Sequence, residues 1–149
     1  MKTCFEERRT LPFSQQEMFH LVTDVASYPL FLPWCLAARV MPEGDNLMVA
    51  DLVIGYKTFR ESYTSRVHLT PHDRIEVTLE KGPFHHLETL WIFVPLASDT
   101  CEVFFSLVFE FKSSIAQTLM TRVFEEAAKQ MMNAFETRAR VLYPGSDKI

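Results

Sequence analysis

The stretch that decides the fold is CEVFFSLVFEF-KS-SIAQTLMTRVFEEAAKQMMNAFETRARVL, residues 101–142. Its first eleven residues alternate: Cys101, Val103, Phe105, Leu107, Phe109 and Phe111 share one face, opposed by Glu102, Ser106 and Glu110. A period of two is that of a strand with one face buried. After Lys112 the period changes to that of a helix. From Ser114 to Leu142 there is no Gly or Pro, and Ile115, Leu119, Val123, Ala127, Met131 and Phe135 form an apolar stripe flanked by Phe124, Ala128 and Leu142. Arg122, Glu125, Glu126, Lys129, Glu136 and Arg140 are expected on the outer side. The spacing predicts an amphipathic helix of roughly 28 residues, about 40 Å long, ended by Pro144-Gly145. A strand this apolar beside a helix this long calls for a sheet that buries the helix stripe.

Upstream, the same alternation repeats. Met48, Ala50, Leu52 and Ile54 alternate with Val49, Asp51 and Val53. Phe59, Tyr63, Val67 and Leu69 oppose Arg60, Ser62, Thr64, Arg66 and His68, and Ile75, Val77 and Leu79 oppose Glu76, Thr78 and Glu80. Turn residues separate the runs at 42–46, 71–73, 82–83 and 98–99, which describes an antiparallel meander. Before it, Cys4–Leu11 reads as a strand. Ser14 and Glu17 form a capping-box pattern opening a short helix that carries Met18, Leu21, Val22 and Val25. Ser27-Tyr28-Pro29 is read as its interruption, with Leu30–Cys35 as an apolar turn or second short helix. The expected fold is α+β: a curved antiparallel sheet of about six to seven strands around a long C-terminal helix. With no linker, repeat or low-complexity tract, residues 1–149 parse as one domain.

Composition narrows the function classes. The chain has 48% hydrophobic residues, 23% charged residues and 13 Phe, an ordinary globular balance with much soft apolar volume. A net charge of −4 argues against general or sequence-specific DNA binding. Cys4, Cys35 and Cys101 are odd in number and far apart, so neither a disulfide framework nor a zinc knuckle is implied and a reducing compartment is expected. No apolar run reaches the length of a membrane span, and the charged start MKTCFEERRT lacks a signal-peptide core. The expected location is cytoplasmic, peripheral to a membrane at most.

The run Tyr28-Pro29-Leu30-Phe31-Leu32-Pro33-Trp34-Cys35 resembles the signature of the coenzyme-Q-binding and ribosome-association-toxin branch of the START-like (polyketide cyclase/dehydrase-type) superfamily. Residues 59–67 and Gly82-Pro83-Phe84 fit the same branch. The resemblance runs in order over essentially the whole chain. It implies a helix-grip fold with an internal apolar cavity. It implies two functions as well: binding of ubiquinone or a similar lipid in support of respiration near the inner membrane, or association with a ribosomal subunit. A cyclase- or hydratase-type enzyme using Glu61 or Tyr63 is a third.

The candidate ligand-binding residues follow from face and family together. Tyr28, Phe31, Leu32, Pro33 and Trp34 form the expected lip of the cavity, or else a plug at the end of the sheet, and Phe31, Leu32 and Trp34 also suit contact with a membrane interface. Tyr63, Val67, Trp91, Phe105, Leu107 and Phe109 are expected wall residues from the strands; Met120, Phe124, Met131 and Phe135 are theirs from the helix. Each is a core-packing residue on the plainer view. Glu61 is in phase with Tyr63, so it is expected either to meet the ligand's polar head or, the favoured alternative, to form a structural ion pair. The five His residues show no metal or nucleophile-base spacing, and no catalytic residue or cofactor beyond a bound quinone or polyprenyl lipid is expected. Arg8, Arg9, Arg60, Arg66 and Arg74 offer an anionic-partner face for ribosomal RNA or membrane phosphate, unless Glu6, Glu76 and Glu80 blunt it.

Overall fold

The computed structural model describes residues 2–56 and 59–144, without the side chains of Tyr56 and Phe59. Expectations for the Phe59 side chain and for Gly145 fall outside those residues. The chain begins with β1 (Thr3–Leu11), α1 (Gln15–Thr23) and a 3-10 helix over Val25–Leu30. Six strands follow: β2 (Cys35–Gly44), β3 (Leu47–Tyr56), β4 (Phe59–Thr70), β5 (Arg74–Lys81), β6 (Phe84–Ala97) and β7 (Thr100–Phe111). The chain then enters α2 (Ser114–Leu142). The strands make one antiparallel sheet in the order β1-β7-β6-β5-β4-β3-β2. Register shifts at Cys35/Ala37, Thr64/Ser65, Phe84/His86 and Pro95/Ala97 bend the strands, as bulges do, and curve the sheet.

Local chemistry sets the ends of α1. Ser14 Oγ accepts from the Glu17 N–H at 3.0 Å and the Glu17 carboxylate accepts from the Ser14 N–H at 2.9 Å, the reciprocal box read in the sequence. Residues 31–34 form a turn, the first of the two expected arrangements, and the second short helix lies before it. It spans Val25–Leu30 and contains Pro29. Backbone bonds from Ser27 to Asp24 and from Phe31 and Leu32 to Tyr28 close its two ends, and none of these needs an amide from Pro29.

The α2 stripe also needs correcting. Ile115 and Leu119 are 71% and 66% exposed, and Leu142 is exposed too, whereas the buried positions are Met120, Ala128, Met132, Phe135 and Ala139. Steps of four residues advance about 40° beyond a full turn, so Ile115 and Phe135 end up about 160° apart around the axis. Both ends of a strict four-residue stripe cannot face one sheet. Glu136 likewise leaves the outer side: half-buried, it accepts from Arg9 of β1 at 2.9 Å and pairs with Arg140.

Candidate functional site

Two aromatic clusters hold α2 away from the sheet. Near its start, the Phe124 ring lies 5.0 Å from Phe109, 5.1 Å from Phe111 and 5.6 Å from Phe84. Eleven residues on, about 16 Å along the axis, Phe135 meets Trp91 at 5.1 Å, Phe31 at 5.2 Å and Tyr28 at 5.4 Å, all near edge-on. Between these props several wall residues are small, Ala127 and Ala128 on the helix and Ala50 and Ser65 on the sheet, beside Met131 and Val67. Small side chains cannot span the gap, and a cavity of about 140 Å³ remains. That is roughly ten times the room a single water needs.

The cavity floor comes from the inward faces of β3 to β7, where Val67, Val77, Thr89 and Leu107 make one continuous row across four strands. Its end is closed by α1 and the 3-10 segment through Val22, Val25, Tyr28 and Leu32. Trp34 completes this lid, and its carbonyl accepts from the Gly55 N–H at 2.9 Å, which fastens the lid to the end of β3. Among the described residues no Lys, Arg, Asp, Glu or His side chain lines the space. The Tyr28 hydroxyl donates to the Val22 carbonyl. Burial, reinforced by the neighbouring Tyr63, Cys35 and Asp24, raises the Tyr28 phenol well above its ordinary value. Burial raises Tyr63 in the same way and lifts the Cys35 thiol. These groups stay neutral at physiological pH, so the cavity is uncharged. It is built to take up apolar matter.

Of the residues proposed from sequence, Tyr28, Leu32, Trp34, Tyr63, Val67 and Trp91 reach the cavity wall, as do Phe105, Leu107, Phe124, Met131 and Phe135. Five do not line it. Phe31 packs outside, between Phe135 and the Arg138 guanidinium 5.4 Å above its ring. Pro33 is exposed, while Phe109 and Met120 are core residues of the first aromatic prop and its helix turn. Glu61 faces the concave side opposite Ile54 but is half-exposed, and among the described residues it has no ion-pair partner. The favoured structural pair is therefore not formed there. Partial exposure removes the need for one.

Sequence reasoning missed Ser65 and Thr89, although parity with Tyr63–Val67 and Leu87–Trp91 points both inward. It also missed the lid contributions of Val22 and Val25. Among the described residues no group of three His, Cys, Asp or Glu side chains gathers as metal ligands, and no helix is long and apolar enough to cross a membrane.

A curved sheet gripping a helix around an apolar cavity defines the START-like, helix-grip class. The chain belongs to the family described as polyketide cyclase / dehydrase and lipid transport, which it matches over residues 11–136. The ribosome association toxin RatA of Pseudomonas aeruginosa is 36% identical, covering 96% of this chain and 99% of that one. The mitochondrial coenzyme Q-binding protein COQ10 homolog B of Xenopus laevis is also 36% identical, over 93% of this chain and 59% of its own length. Among solved structures, the Zhui aromatase/cyclase from Streptomyces sp. R1128 superposes with a TM-score of 0.84, covering 97% of this chain and 99% of that one. At 20% identity that likeness speaks to the fold alone.

Proposed function

We propose that this chain binds a polyprenyl quinone or a similarly apolar lipid in its cavity and carries or shields it in support of respiratory electron transport. The observation that carries the proposal is the uncharged cavity of about 140 Å³ between two aromatic props. Affinity comes from burial of the tail at about 25 cal/mol per Å², with ring stacking on the aromatic wall adding about 1 kcal/mol. The lipid-transport wording of the family and the coenzyme Q-binding relative support it. Exposed Leu30 and Leu36 on either side of the lid suit a peripheral contact with the inner membrane from the cytoplasm. No catalytic step and no further cofactor enter this proposal.

The second reading is association with a ribosomal subunit, favoured by the similarity to RatA over nearly the full length. The basic residues that would meet ribosomal RNA weigh against it. Arg8 pairs with Glu102, Arg66 with Glu43 and Glu80, and Arg74 with Asp73 and Glu76, which leaves little net positive field for phosphate.

Native mass spectrometry with organic extraction, on protein from a quinone-producing host, tests the first reading. Near-stoichiometric quinone supports it. Protein that carries no lipid there and also takes up no added quinone overturns it, and salt-dependent cosedimentation with ribosomal subunits would then establish the second.

A further inference from the structure

Tyr63 and Ser65 stand two residues apart on β4 and face the cavity beside Leu52 and Ala50 of β3. That spacing separates them by about 7 Å along the strand. Ser65 is 2% exposed, and neither hydroxyl has a hydrogen-bond partner among the described residues. Neither is sealed in, however: among the described residues the side-chain nitrogen or oxygen that is both sealed and unpartnered is Arg138 Nε. Both residues line the cavity wall. Thr89, two strands away in the row that runs through Val67 and Val77, carries a further hydroxyl with no hydrogen-bond partner among the described residues, deeper in the cavity. Tyr28 and Cys35 differ from these three, because each directs its hydrogen to a backbone carbonyl, of Val22 and Ala37.

Among the described residues the rest of the wall offers apolar groups, the indoles of Trp34 and Trp91, and no charge. A polar group in such a place costs free energy until something bonds to it. We infer that Tyr63 and Ser65 form the head-group subsite of this cavity and select amphiphiles whose head is uncharged and carries carbonyl or alkoxy oxygens. The inference rests on the cavity binding proposed above and specifies what it selects. An anionic head is excluded because its charge would be buried with no counter-charge. A bare hydrocarbon is disfavoured because it strips water from these two hydroxyls and replaces none of their bonds. A neutral head bearing oxygens avoids both costs. Burial keeps the Tyr63 phenol protonated, so it remains a donor throughout the physiological range. Glu61, next along the same face and half-exposed, continues the polar strip outward from Tyr63.

Equilibrium binding of three probes with the same decyl tail tests the subsite: a decyl-substituted dimethoxybenzoquinone, decylbenzene and decyl phosphate. For the unaltered protein the quinone is expected to bind tightest and the phosphate at least about tenfold more weakly. The double substitution Tyr63→Phe with Ser65→Ala is expected to weaken quinone binding roughly tenfold and to leave decylbenzene within about twofold. Ser65→Ala alone, the milder change if the double variant does not fold, is expected to show roughly a threefold loss for the quinone only. Equal losses for quinone and decylbenzene, or no loss for either, overturn the subsite while leaving cavity binding intact. Failure of the unaltered protein to bind any of the three overturns cavity binding itself, and the subsite with it.

Discussion

Gly82 lies against Tyr63 so closely that a Cβ at position 82 would sit 2.6 Å from the Tyr63 Cβ. Gly82 has a φ of +156° and heads the turn from β5 into β6, so this turn fixes where a cavity hydroxyl stands. Gly82→Ala should therefore displace Tyr63 and strain the turn, costing about 1–3 kcal/mol. Urea unfolding should show a lower midpoint with an unchanged slope, and quinone affinity should fall in the same variant. An unchanged midpoint would show that the turn yields without moving β4.

Phe135 is fully buried and holds Tyr28, Phe31 and Trp91 edge-on around it. Phe135→Ala should cost about 3–5 kcal/mol, because it removes one prop and joins its volume to a cavity already present. Chemical denaturation monitored by Trp fluorescence reads this directly. A loss under about 1 kcal/mol would mean that α2 settles onto the sheet without its prop.

Ala127 faces the cavity between the two props. Ala127→Leu adds three carbons to free space and keeps a good helix former, so stability should hold or rise by about 0.5–2 kcal/mol. Quinone binding should drop by an order of magnitude or more, since the added carbons occupy the ligand's volume. A raised melting temperature with full affinity would move the ligand to another place on the protein.

Glu136 stands between Arg9 and Arg140. Burial opposes its ionisation, but the hydrogen bonds from Arg140 and Arg9 outweigh burial and hold the carboxyl below its ordinary value. A carboxyl depressed in the folded state stabilises the fold at pH values above its unfolded pKa, about 4.3. That contribution is lost as the pH falls through the lower folded value. Urea midpoints measured from pH 6 downward should thus fall below about pH 4.3 in the unaltered protein. Glu136→Gln should flatten that limb and lower the midpoint at neutral pH. Parallel acid limbs in the two proteins would assign the loss to other carboxylates.

The three thiols should separate by reactivity. Cys4 is exposed, whereas Cys35 and Cys101 are buried. Burial, aided by the charge of Glu17, pushes Cys101 up to about 11, which leaves about one thiolate in a thousand at pH 8. A thiol reagent at pH 8 should label one site quickly and the other two only after denaturant is added. Fast labelling at Cys35 would report that the lid at Trp34 opens on the timescale of the reaction.

Much of the architecture is local and was therefore legible in the sequence. The alternation from Cys101 to Phe111 and the Gly- and Pro-free helix after it determined a sheet burying a helix, and Ser14 with Glu17 determined where α1 begins. Inward parity placed Tyr63, Val67, Phe105 and Leu107 on the cavity side, because side-chain direction in a strand is set by residue count alone. What the sequence did not contain was the separation of the two layers. Whether Phe109 or Phe105 borders free space depends on which aromatic ring across the gap reaches it, and Phe124 reaches Phe109. Tertiary packing also decided that Ile115 stays exposed, since the azimuth of a long helix drifts past the sheet it grips. The same packing left Ser65 buried, its hydroxyl without a partner among the described residues. A cavity is a property of distances between elements far apart in the chain, and no local pattern encodes those distances.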